Sequence, residues 1–216
     1  MKGATIEELY DFMSNEISWR RKELDDIRGL LEANSKYDSK KKALLRAGIT
    51  MLYAHWEGYI KNISKAYINF VAMRKFKYNE LSGNFLALAL RQRISMVNSD
   101  NIESLIDILG FLQNEMHVRS QGLSKEEVNT KSNLNSDVLK NIVASLGLDY
   151  KFFASKSNLI DVKLLAKRNS IAHGRDVLIE LDDYMELMDN VLVMMGELRN
   201  QIDNAVQLKF YKKNTV

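Results

Sequence analysis

The run Lys167-Arg168-Asn169-Ser170-Ile171-Ala172-His173-Gly174-Arg175 gathers a permanent cation, an amide, a hydroxyl and an imidazole within about two helical turns. Arginine stays charged and forks onto phosphate oxygens, whereas histidine changes protonation near neutral pH and can move protons. These are the groups that metal-free RNA cleavage needs: a base for the ribose 2′-hydroxyl, an acid for the leaving 5′-oxygen, and positive charge for the pentacoordinate phosphate. On a helix Asn169 and His173 share a face, while Arg168 projects roughly 140° around the axis from His173. One helix alone therefore does not converge the set. Two copies placed antiparallel across a two-fold axis would bring each arginine to the other copy's histidine, and the small Ala172 suits a close approach. Spacing by itself leaves two plainer readings open: His173 as a C-cap residue facing exposed carbonyls, and Arg168 as a solvated helix charge.

The elements that must position this run are helices. The chain has 216 residues, 46% of them hydrophobic, with no proline and ten glycines, which allows one sizeable core and long uninterrupted helices. An all-α bundle in a single domain spanning 1–216 is expected. Thr5 and Glu8 form a capping-box pattern ahead of Ile6, Leu9, Tyr10, Met13, Ile17, Leu24, Ile27 and Leu31, predicting a long first helix over roughly 5–33. A second long helix carries Leu44, Ala47, Met51, His55, Tyr59, Ile63, Tyr67 and Phe70, antiparallel to the first. Shorter helices follow, one from Asn84 to Val97 and one capped by Asp100 and Glu103 whose core stripe is Ile102, Leu105, Ile106, Leu109 and Met116. Arg119 to Asn135, rich in Ser, Asn, Lys and Glu, is expected to be the most mobile loop. A short helix from Ser136 is stopped by Gly147. Asn158 would N-cap the motif helix, Ile160, Leu164 and Ile171 would face its core, and Gly174 would end it in a left-handed C-cap. Asp182 opens a last long helix with Tyr184, Leu187, Met188, Val191, Met195, Leu198, Ile202 and Val206 at bundle spacing.

Several function classes lack their parts. With no cysteine there are no disulfides or thiolate metal sites, and no apolar run is long enough for a signal peptide or a membrane span, so a cytoplasmic protein without a membrane partner is expected. No zinc-type cluster, phosphate-binding glycine loop or nucleophile elbow is present, which leaves cofactor-free and metal-free chemistry. The net charge of +3 neither requires nor forbids RNA, although Arg20-Arg21-Lys22, Lys40 to Lys42, Arg74 to Lys77, Arg91 and Arg93 could follow a backbone if they met on one face. His117 stands apart from other ligand-type residues and reads as a cap or surface group. Glu57 could orient Arg168 or His173, or be an ordinary helix-surface partner of Lys61 four residues on.

Arg168-Asn169-Ser170-Ile171-Ala172-His173-Gly174 resembles the signature of the HEPN superfamily, the helical "higher eukaryotes and prokaryotes nucleotide-binding" domains: arginine, a polar residue, then histidine four to six positions after the arginine. The resemblance extends through Leu148-Asp149-Tyr150 and Ile160-Asp161 to the final helix, and back to His55-Trp56-Glu57-Gly58-Tyr59-Ile60-Lys61. It implies a metal-independent endoribonuclease that dimerises through the motif helix, of the kind found as toxins in toxin-antitoxin or abortive-infection systems against phage, with a cognate antitoxin as a further partner. By the resemblance Arg168 and His173 are catalytic and Asn169 supports them; Ser170 and Glu57 are further candidates for support, and Lys167 and Arg175 are candidates for contacting the RNA. Other members have lost activity and serve as modules that bind RNA, a nucleotide or a partner protein. One branch has a tyrosine two residues after the histidine that a partner nucleotidyltransferase modifies; this chain has Arg175 there.

Overall fold

The computed structural model describes residues 5–33, 39–98, 100–121, 123, 128, 130 and 133–213. In chain order the elements are α1 (Ile6–Ala33), α2 (Ser39–Ala72), a 3-10 turn (Tyr78–Glu80), α3 (Gly83–Ser95), α4 (Ile102–Asn114), α5 (Ser136–Ser145), α6 (Lys151–Ala154), a π-helical segment (Leu159–Ala166), α7 (Lys167–Ala172) and α8 (Leu181–Gln207). The fold is an all-α bundle, as its periodicities predict, and among the described residues the only β-type pairings are two isolated bridges.

The reciprocal capping box forms at the start of α1: Glu8 N–H donates to Thr5 Oγ1 at 3.1 Å and Thr5 N–H to Glu8 Oε2 at 3.4 Å. Helices α1, α2 and α8 pack together, and α2 also carries α7 and the π segment on a further flank. That central place explains why α2 buries residues all round, from Leu45, Leu52, Trp56 and Tyr59 to Ile63, Tyr67 and Phe70. Gly48 lets α8 approach, since a Cβ there would stand 2.9 Å from the Tyr184 ring. The end of α2 is closed by the chain's return, where Tyr211 stacks on Phe76 with centroids 5.8 Å apart and Lys213 N–H donates to Glu80 O at 2.9 Å.

Three expectations are corrected. Ile102, Ile106 and Leu109 of α4 do not face the core but are 67%, 59% and 54% exposed, and Leu105 is half-buried. The helix packs through its other side, where Phe111 meets the Tyr78 ring edge-on at 5.1 Å and lies under the Arg93 guanidinium at 4.1 Å. Asn101 rather than Asp100 caps it, accepting from Glu103 N–H at 2.9 Å. Asn158, finally, is no N-cap: its backbone is already helical at φ −62° and ψ −39°, and Ile160 N–H reaches back to Lys156 O at 2.9 Å. The motif helix is instead fed by the π segment, whose i→i+5 pattern widens the turn so that Leu164 and Leu165 are both buried beside Ile160. Of the expected mobile loop, residues 122, 124–127, 129, 131 and 132 lie outside the described set, while Val128, Thr130 and Leu134 are buried.

Candidate active site

Arg168 is the second residue of α7, four after buried Leu164, and so points toward α2. Its guanidinium carbon sits 3.8 Å from the centroid of the Tyr53 ring, and Nη2 donates to Asn133 Oδ1 at 3.4 Å. Tyr53 is only 3% exposed, and its hydroxyl accepts from Leu134 N–H at 2.7 Å, so ring and following backbone are pinned together. A cation over an aromatic face is worth ~1–2 kcal/mol when partly desolvated, enough to choose one orientation for a long side chain. Burial raises the Tyr53 phenol above its ordinary value, with the Leu134 N–H opposing, the Glu57 charge adding, and Arg168 opposing. The phenol therefore stays protonated and leaves the positive charge to Arg168.

His173 occupies the C-cap, with φ −87° and ψ 14°, and its side chain is exposed. The turn beyond it is a Schellman closure: Gly174 N–H donates to Ile171 O at 3.0 Å and Arg175 N–H to Ser170 O at 2.9 Å, with Gly174 at φ 74° as expected for its lack of a Cβ. The N-terminal part of α2 clamps this turn from the side. Arg46 Nη1 donates to Arg175 O at 2.8 Å, and the Asp176 carboxylate meets Lys42 Nζ at 2.7 Å and Arg46 Nη1 at 3.7 Å. The hydrogen bond and charge of Lys42 hold the Asp176 carboxyl below the usual carboxylate range. The arrangement is a cation held over an aromatic ring on one side of a short helix and an exposed imidazole at that helix's end, followed by a turn that Lys42 and Arg46 of α2 bind from the side.

A family model described as MAE_28990-like HEPN matches residues 10–211, nearly the whole chain. The chain belongs to the HEPN superfamily. No curated protein and no solved structure matches it.

Within this HEPN chain the structure places Arg168, Asn169, Ser170, His173 and Arg175 on one continuous segment, with Ala172 and Arg175 exposed beside the imidazole. Glu57 lies half-buried on α2 one turn beyond Tyr53, on the flank that carries Arg168. Lys167 turns toward α8, its Nζ 4.0 Å from Asp183 Oδ2. His55, although close to Glu57 in sequence, faces α1: Nε2 is 3.0 Å from Glu23 Oε2, and the ring meets Trp19 edge-on at 5.2 Å. There it adjoins buried Arg20, which pairs with Glu16 at 2.8 Å and donates to the His55 carbonyl at 3.3 Å. Burial pushes the His55 imidazole below its ordinary value, Glu23 opposing and Arg20 adding.

Sequence reading missed Tyr53, Asn133, Arg46 and Asp176. Tyr53 lies 115 positions before Arg168, and a tyrosine inside an apolar helix carries no mark distinguishing a ring under a cation from ordinary core. His117 is exposed, and among the described residues no group of three or more His, Asp or Glu side chains is arranged to hold a metal ion. No described helix is long and apolar enough to cross a membrane.

Proposed function

We propose that this HEPN protein is a metal-independent endoribonuclease, with Arg168 and His173 as its catalytic residues and two protomers completing the site through their motif helices. The observation that carries the reading is the pairing of a pre-positioned guanidinium on Tyr53 with an exposed imidazole five residues on, in an intact signature. One His173 imidazole takes the proton of a ribose 2′-hydroxyl as the 2′-oxygen bonds to phosphorus. The phosphorus–O5′ bond breaks as the other protomer's imidazolium returns a proton to the 5′-oxygen, leaving a 2′,3′-cyclic phosphate and a 5′-hydroxyl. Arg168 neutralises the charge that builds on the non-bridging oxygens. Asn169, Ser170 and Glu57 hold the two groups in place, exposed Arg175 contacts a flanking phosphate, and Lys167 reaches another by leaving its contact with Asp183 on α8. DNA lacks the nucleophile and should resist. Such an enzyme fits a toxin or antiphage effector restrained by an antitoxin.

Incubating the purified chain with single-stranded RNA in EDTA tests this. Cleavage should persist, and His173→Ala should lose it by two orders of magnitude or more while melting as the wild type does. Cleavage that stops in EDTA, or survives in His173→Ala, overturns the mechanism. A second reading rests on the C-cap geometry of His173 and the half-buried setting of Arg168, both of which also suit a HEPN module that binds RNA or a protein without turnover. Saturable RNA binding with no product would favour it.

A further inference from the structure

The outward stripe of α4 departs from the rule that a helix buries its apolar face. Ile102, Leu105, Ile106, Leu109 and Leu112 lie within about 120° of arc, on the side roughly opposite Phe111, the helix's one buried residue. An isolated exposed leucine means little, but a continuous stripe on a packed helix marks an interaction surface.

The spacing of the stripe says what fits it. Ile102, Leu105, Leu109 and Leu112 repeat at three, four and three residues, the a/d pattern of a helix-on-helix seam. Reversing the helix about a point near residue 107 lays Ile102 on Leu112 and Leu105 on Leu109, so the seam is complementary to itself in the antiparallel sense. Ile106 and Ile108 flank it at the axis, whereas Glu103 and Asp107 project more than about 100° away from its centre, so an identical helix meets no like charge across the seam. The helix has no lysine or arginine, which argues against an anionic membrane surface as its counterpart.

We propose that α4 is a self-association site at which two copies of this chain pair antiparallel through Ile102, Leu105, Ile106, Leu109 and Leu112. The contact is separate from the motif helix and independent of RNA cleavage. A stable stand-alone dimer needs ~800 Å² from each partner, more than two heptads of one helix provide, so pairing here is concentration-dependent. Combined with pairing through the motif helix, it would give each protomer two different two-fold contacts, which build a tetramer or a filament.

The chain lacks cysteine, so single cysteines with a short bis-maleimide give a clean test in the full-length protein. Ile106→Cys, near the axis, should cross-link to itself with a yield that rises with protein concentration. Ile102→Cys and Leu112→Cys should each fail alone, because like positions stand ~15 Å apart along the axis, yet cross-link when mixed. Leu109→Glu in the Ile106→Cys background should abolish the cross-linked dimer and leave the thermal melt unchanged, since the side chain is exposed. Self-cross-linking of Ile102→Cys would mean a parallel pair. Failure of Ile106→Cys to cross-link, or a dimer that survives Leu109→Glu, would mean that another partner covers α4. Each of these results overturns the proposal.

Discussion

Helices α2 and α4 both carry apolar residues at regular helical spacing, but α2 is enclosed by α1, α7 and α8 whereas α4 touches the body through Phe111 and turns its stripe of isoleucine and leucine outward. Periodicity reports which side chains share a face. It does not report what that face meets. In α2 the burial continues onto the flank that holds the candidate site, so the Tyr53 ring both fills space and carries Arg168. In α4 the same kind of stripe does nothing for the monomer's core.

The contrast breaks most sharply on truncation. Trp56→Ala in α2 should cost ~3–5 kcal/mol, and Leu109→Ala in α4 should stay within about 0.5 kcal/mol in dilute solution, both read by urea denaturation. Comparable costs would mean that α4 is not free in the monomer. Function should divide the same way: Tyr53→Leu is expected to lower RNA cleavage roughly 10- to 100-fold by releasing the guanidinium, with Tyr53→Phe recovering most of it, while Leu105→Ser leaves the rate unchanged. A Tyr53→Phe loss as large as that of Tyr53→Leu would put the weight on the hydroxyl and its bond to Leu134 rather than on the ring.

Glycines sharpen the comparison. Gly48→Ala would set a Cβ 2.9 Å from the buried Tyr184 ring and should destabilise by ~1–3 kcal/mol. Gly110→Ala meets nothing within 4 Å and, inside α4, should stabilise by up to ~1 kcal/mol. Thermal melts of the two variants check the signs. The smallest effect is expected from His55. Burial disfavours its charged form, so the unfolded chain binds a proton more readily than the folded one, and this contribution is present above the ordinary value of 6.5 and is lost as pH falls below it. Between about pH 7.5 and pH 5.5 the wild type should therefore lose a few degrees of melting temperature that His55→Gln does not lose.

Much of the fold is legible in particular residues. Thr5 and Glu8 mark the start of α1, the stripe from Tyr184 to Val206 marks α8, and Gly174 takes the left-handed turn that its place after His173 predicts. These features are local, set by capping bonds, side-chain period and the missing Cβ, and each acts within a turn or two of chain. The π register of Leu159–Ala166 was not legible, because adjacent apolar residues at Leu164 and Leu165 suit an α-helix with one edge leucine equally well. Nor was the clamp of Lys42 and Arg46 on the turn at Arg175 and Asp176, which joins residues about 130 positions apart. For the candidate site, the residue types at positions 168 and 173 and their five-residue spacing, roughly 140° around the helix axis, were readable; the ring beneath Arg168 was not.

By itself, then, the chain's order of residues determined an all-α molecule, the start of α1 at Thr5 and the stop of the motif helix at Gly174, and the segment on which an arginine and a histidine lie five residues apart, because those depend on interactions within a few residues. Only the packed structure decided that α2 lies at the centre, that Tyr53 holds Arg168, and that the best-formed apolar stripe of α4 faces outward. Those depend on which faces meet, and a helix that repeats the same period can bury its stripe against its own fold or keep it for another surface.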